Sequence, residues 1–107
     1  MVGAWKLVTS EHSIMVQFGL GIAVTIAGFF FHISATEWMF QIFAIGLVLA
    51  IEGANTAVEK ICDFIHPDFN PKIGFIKDIA SGAVFFAALA AVAIGCIIYY
   101  PKFAALF

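Results

Sequence analysis

At 107 residues, with 64% hydrophobic and only 11% charged side chains, the chain has too little polar surface to cover a water-soluble globule; an ordinary soluble domain is about a quarter charged. A mean hydropathy of +1.08 points instead to lipid as its solvent. The net charge of -2 and the lack of any Arg argue against a nucleic-acid partner.

The spans follow from the distribution of charge. Residues 12–36 hold no Asp, Glu, Lys or Arg, and neither do residues 79–101. Each run exceeds the roughly 20 residues that cross a ~30 Å hydrocarbon core at 1.5 Å rise per residue. The first span is expected at about 12–33, closed by the polar run His32, Ser34, Thr36 and Glu37. It is longer than a signal-peptide core and no A-x-A site follows Phe31, so it is read as a mature span.

The second span is expected at about 37–65. It carries no charge from Trp38 to Ile51, then meets Glu52, Asn55 and Glu59 without a helix breaker until His66-Pro67. A residue before Pro is pushed out of the helical region, which sets the end. A helix starting near Trp38 is still inside the bilayer at Glu52 and reaches the far interface near Glu59. Residues 67–76, with Pro71 and Gly74, read as an irregular loop before a third span at about 79–100, closed at Pro101. The expected architecture is all-α: one integral membrane domain, 1–107, of three transmembrane helices.

Lys6, Lys60, Lys72 and Lys77 fall on one side of these spans, so the amino terminus and the second loop are expected to be cytoplasmic, with Lys102 the exception on the far side. Trp5, Trp38, Tyr99 and Tyr100 read as interfacial aromatics. Gly46, Ala50, Gly53, Ala54 and Ala57, and Ala80, Ala83, Ala87, Ala91 and Gly95, would let helices approach closely. Three helices leave Glu52 short of cover, so assembly of several copies is expected. Cys62 and Cys96 read as packing residues, and His12, His32 and His66 share no face.

Glu52, Asn55, Glu59 and Asp63 fall within an arc of roughly 80° at 100° per residue, stacked over three turns. A charge at the middle of a membrane helix costs about 2.5 to 3.5 kcal/mol, so such residues face protein or water and mark function. Glu59 and Asp63 also suit a bland role as solvated interfacial groups; Glu52, deeper, does not. Two carboxylates with an amide between them suit a hard divalent cation, which takes oxygen ligands. They equally suit proton abstraction, since a carboxylate in a dry pocket is the stronger base. Glu11 could add a ligand from the first span, and Lys77 at the head of the third offers a point charge for phosphate.

The runs Glu52-Gly-Ala-Asn55-Thr-Ala-Val-Glu59-Lys-Ile-Cys-Asp63 and Lys77-Asp78-Ile-Ala-Ser81-Gly-Ala-Val84 closely resemble the paired signature of the prokaryotic diacylglycerol kinase family, which includes undecaprenol kinases. The resemblance extends from about Gly3 to Phe103. It implies a homotrimer of three-span subunits in the bacterial inner membrane, transferring phosphate from MgATP to a lipid hydroxyl at the cytoplasmic interface. By that resemblance Glu52 is the general base and Glu11 and Glu59 hold Mg²⁺. Glu11, Glu59, Lys77, Asp78, Asp68 and Asn70 meet ATP, Asn55 and Asp63 support the site, and Ser81 meets the lipid. The pattern departs ahead of Glu11, where family members carry a longer surface helix with an Arg and this chain has only Lys6. Two other expectations stand beside the kinase: a proton- or cation-coupled transporter using Glu52, and an inactive kinase relative. The transporter gives Lys77, Asp78 and Glu11 nothing to do; the inactive relative would bind MgATP weakly or not at all.

Overall fold

The computed structural model describes residues 2, 3, 5 and 12–107. Three helices account for nearly all of the continuous stretch: α1 His12–Phe31, α2 Ala35–Ile65 and α3 Pro71–Leu106. Each is long and apolar enough to cross a membrane. Their outward faces are lined with large apolar side chains such as Phe30, Phe43, Phe86 and Ile97, all well over half exposed. A soluble monomer rarely exposes so continuous an apolar surface. The chain is a multi-pass, three-span membrane protein.

The ends of the helices are set by local chemistry. At the end of α1, the His32 amide donates to the Phe29 carbonyl and the Ile33 amide to the Gly28 carbonyl, the paired bonds of a Schellman motif. His32 occupies the left-handed position at φ 54°, which glycine normally fills. The helix therefore stops at Phe31, slightly short of the expected 33. Ser34 opens α2 through a reciprocal capping box: its hydroxyl accepts from the Glu37 amide and the Glu37 carboxylate accepts from the Ser34 amide. At the other end α2 stops at Ile65, with His66 as its cap ahead of Pro67.

The third helix differs most from expectation at both ends. It starts at Pro71 because Asn70 caps it, its side-chain oxygen accepting from the Lys72 and Ile73 amides at 2.9 and 3.4 Å. Pro at the first helical position loses no bond, since that N–H has no partner within the helix anyway. At the far end α3 runs through Pro101 to Leu106. Pro101 has no N–H for the Ile97 carbonyl one turn back, and the helix continues past it; one residue on, the Lys102 ammonium donates to the Ile98 carbonyl at 3.1 Å.

The helices alternate up and down. α2 packs chiefly on α3, and α1 rests on α2. Trp38 fits against Gly28, where a Cβ would sit 2.7 Å from its ring, and the ring also meets Phe29 at 4.9 Å. The register of α2 on α3 is fixed by polar pairs at both ends: Lys77 with Asp63, and Lys102 with Glu37, each at 2.8 Å. Between them the Tyr99 hydroxyl donates to Gln41, whose amide in turn donates to the Val24 carbonyl of α1 at 3.3 Å. Gln41 is 3% exposed, and this triangle ties all three helices together near their outer ends.

The small residues of α2 do not form that packing. Gly46, Ala50, Ala54 and Ala57 are exposed, whereas the buried positions are Gln41, Ala44, Val48 and Cys62. On α3 the expected small residues divide: Ala87 is buried, Ala80, Ala91 and Gly95 are half-buried, and Ala83 is exposed.

Two substitutions test the α1–α2 corner by thermal unfolding in detergent micelles. Gly28→Val should destabilise the fold by about 1 to 3 kcal/mol, because the Trp38 ring cannot yield without opening the corner. His32→Gly should stabilise it by about 1 kcal/mol, because it removes the left-handed strain of a non-glycine residue.

Candidate active site

The inward face of α2 continues without a break from packing into chemistry. Gln41, Ala44, Val48, Glu52, Asn55, Glu59 and Cys62 recur at helical spacings of three and four, so all lie on one side of the helix. The polar stripe is thus directed toward the other helices of its own chain. If the ~30 Å core begins at the level of Trp38, it ends about 20 residues later, near Ala57. Glu52 then lies roughly 7 Å beneath the boundary, while Glu59 and Asp63 stand above it.

One carboxylate oxygen of Glu52 is buried with no hydrogen-bond partner, and so is the side-chain oxygen of Asn55 one turn away. The antiparallel register places Ala88 of α3 level with Glu52, and on the α1 side the level is that of residues 13 and 14, of which Ile14 is fully buried. Ala88 and Ile14 offer the carboxylate no hydrogen bond. Cover for this oxygen comes from within the single chain, while the Glu52 residue as a whole is partly exposed.

Toward the water, the groups become paired. Asn55 donates from its side-chain nitrogen to Glu59 at 3.3 Å, which leaves its oxygen pointing free. Asp63 accepts from the Lys77 ammonium at 2.8 Å, so the last turn of α2 holds the first cation of α3 in place. Ser81 follows Lys77 by one turn on the same face of α3, level with Glu59, and is exposed. Asp78 is exposed beside it.

The loop residues have local work as well. Asn70 spends its side-chain oxygen on the α3 cap. Asp68 is exposed, and its carbonyl accepts from His66 Nδ1 at 2.8 Å, which puts the imidazole proton on that nitrogen. Glu11 lies outside the described residues, and with it the expected two-helix pairing of Glu11 with Glu59. Among the described residues no three His, Cys, Asp or Glu side chains converge as a metal cluster.

The family described as prokaryotic diacylglycerol kinase matches residues 1–99. This chain belongs to that family. Among curated members, it is similar to the undecaprenol kinase of Bacillus subtilis, with 34% identity over 100 residues covering 94% of this chain and 81% of that one. The diacylglycerol kinase of Escherichia coli K12 is 30% identical over 86 residues, 78% of this chain and 70% of that one. A diacylglycerol kinase of Synechocystis is 34% identical over 83 residues, covering 76% of this chain but 47% of its own longer chain.

Within this family member, sequence reasoning passed over the outer polar cluster. Gln41 is a lone amide inside an otherwise apolar run, and that alone was the available signal. Tyr99 read as an interfacial ring rather than a hydrogen-bond donor. Lys102, the one cation on the unexpected side, is neutralised by Glu37 and accepted by the Ile98 carbonyl.

Because its buried oxygen is unpaired, Glu52 costs the fold more than it returns. Glu52→Met should raise stability by about 1 kcal/mol in micelles, measured by thermal unfolding; a clear loss of stability would show that the carboxylate is satisfied in the native protein.

Proposed function

We propose that the chain is an ATP- and Mg²⁺-dependent lipid kinase that phosphorylates a membrane alcohol, undecaprenol or diacylglycerol, at the cytoplasmic face of the bacterial inner membrane. The observation that carries this reading is the unpaired pair, Glu52 Oε2 and Asn55 Oδ1, held just beneath the hydrocarbon boundary. Two acceptors without donors, a turn apart, suit an incoming hydroxyl and a hard cation. Family membership supports the same activity.

In this reading Glu52 accepts the proton of the lipid hydroxyl as its oxygen bonds to the terminal phosphorus of ATP. The bond from that phosphorus to the bridging oxygen breaks, and ADP leaves. The buried oxygen of Glu52 has no hydrogen-bond partner, so its lone pairs remain available to the substrate. Lys77 meets phosphate oxygens with its ammonium, and Asp63 keeps it oriented from 2.8 Å away. Asp78, with Asp68 and Asn70 from the loop, borders the nucleotide; the unspent amide nitrogen of Asn70 is its available donor. Ser81 lies where the lipid head enters.

The donor set fits Mg²⁺, which takes oxygen ligands and retains waters. Glu59, exposed and already oriented by Asn55, would hold it together with Glu11. Bound Mg²⁺ would neutralise phosphate charge during transfer. Positioning and charge neutralisation are most of what phosphoryl transfer demands, and a short, three-helix chain can supply both. The family resemblance supports a homotrimer, with the amino terminus cytoplasmic.

Purified protein in mixed micelles with labelled ATP, Mg²⁺ and either diacylglycerol or undecaprenol should give labelled lipid. Glu52→Gln should lower kcat by about 10²- to 10⁴-fold, and Glu59→Gln should raise the Mg²⁺ concentration needed for half-maximal rate. No transfer to either alcohol by folded protein would remove the proposal.

A further inference from the structure

Two amides stand on the facing sides of α1 and α2, and their circumstances differ. Gln41 is engaged at both ends: it donates to the Val24 carbonyl and accepts from the Tyr99 hydroxyl. Gln17 is part-buried on α1 and, among the described residues, makes no hydrogen bond. An amide without a partner at that depth costs free energy, because hydrocarbon offers it none. A leucine of similar volume would fill the same position without that cost.

The place of Gln17 relative to Glu52 follows from the register of α1 on α2. Trp38 rests on Gly28, a Cβ on Gly21 would lie 3.2 Å from Ile45, and Gln41 holds Val24 at 3.3 Å. On α1 the stripe Gly28, Val24, Gly21 continues at the same spacing through Gln17 to the fully buried Ile14. On α2 the stripe Trp38, Gln41, Ile45 continues through Val48 to Glu52. Gln17 and Glu52 therefore lie on facing stripes, with Gln17 opposite Val48 and one turn, roughly 5 Å, outward of Glu52.

The lean of the side chains closes that offset. A helical side chain tilts toward the amino terminus of its own helix. α1 begins at the inner end, so Gln17 leans inward; α2 begins at the outer end, so Glu52 leans outward. Each is aimed at the level of the other. They share no hydrogen bond in the structure, where the buried oxygen of Glu52 has no partner. A cavity of about 650 Å³ gives them room to move. It opens where α1 and α3 share no extended contact among the described residues. Its innermost lining residues are Gln17, Leu49 and Ala91, so it ends one turn short of Glu52 with Gln17 at its inner rim.

Resting on the lipid-kinase reading, we propose that Gln17 is a positioning residue for Glu52: its amide N–H donates to one carboxylate oxygen while the other oxygen takes the proton of the lipid hydroxyl. A carboxylate carried on one helix swings about its own side-chain bonds. A hydrogen bond from a second helix fixes which lone pair meets the substrate. The amide serves both protonation states, because its carbonyl oxygen accepts from the carboxyl group once that group holds the proton.

The test is steady-state kinetics of the full chain in mixed micelles. Gln17→Leu removes the donor at nearly constant volume and should lower kcat by about 10- to 100-fold, with KM for ATP and for the alcohol unchanged. Gln17→His restores an N–H donor and an acceptor, and should recover most of the lost rate. In a Glu52→Gln background, Gln17→Leu should cost nothing further, because a residue that acts through Glu52 loses its effect with it. Gln17→Leu should unfold at or above the wild-type temperature, with assembly of copies unchanged on cross-linking.

Losses that multiply in the double variant would overturn the assignment, as would a raised KM for the alcohol with kcat intact. A lower unfolding temperature or separated copies would assign the amide to packing or to association in the membrane instead. Wild-type turnover with kcat indifferent to Gln17→Leu sinks this inference alone. Folded wild type that phosphorylates neither alcohol sinks the kinase reading, and the inference with it.

Discussion

A carboxylate set beneath the surface of a membrane with nothing to bond is the constraint around which this protein is organised. Glu52 lies on the inward face of α2, and one of its carboxylate oxygens is buried without a hydrogen-bond partner. A fold selected only for stability would place an aliphatic side chain there. The same helix face carries packing residues on one side of Glu52 and the polar Asn55 and Glu59 on the other. α2 is therefore at once the spine of the bundle and the carrier of its polar stripe.

Such a site needs its surroundings held firmly, and the firm points lie at the two ends. Lys77 and Asp63 close the α2–α3 pair at the inner end. Lys102, Glu37, Tyr99 and Gln41 close it at the outer end, where the third helix is also tied in through Val24. Between these two clasps the helices are joined by apolar packing alone. The middle of the bundle is where α1 and α3 diverge, and the cavity occupies that interval.

The three spans were legible because long uncharged runs leave a membrane chain few alternatives, and the polar stripe because four polar residues at helical spacing inside an apolar segment form one face. The family was legible in the paired signatures. Helix ends were less so. Pro71 and Pro101 look like barriers in the sequence, yet an Asn70 cap turns the first into a start, and α3 runs on through the second to Leu106. The outer cluster was invisible for a related reason: Gln41 and Tyr99 are far apart along the chain, and only the antiparallel register brings them together. The small-residue face of α2 was visible, but what it meets was not: within the chain it is exposed, because periodicity shows which residues share a side and not what that side faces.

The turn between α1 and α2 has a consequence for the pair it joins. Only His32, Ile33 and Ser34 separate the helices, and two backbone bonds with a reciprocal cap consume their slack. A corner this tight leaves the two helices an antiparallel hairpin, so in the folded protein the apolar first arm stays beside the acidic second arm at every depth.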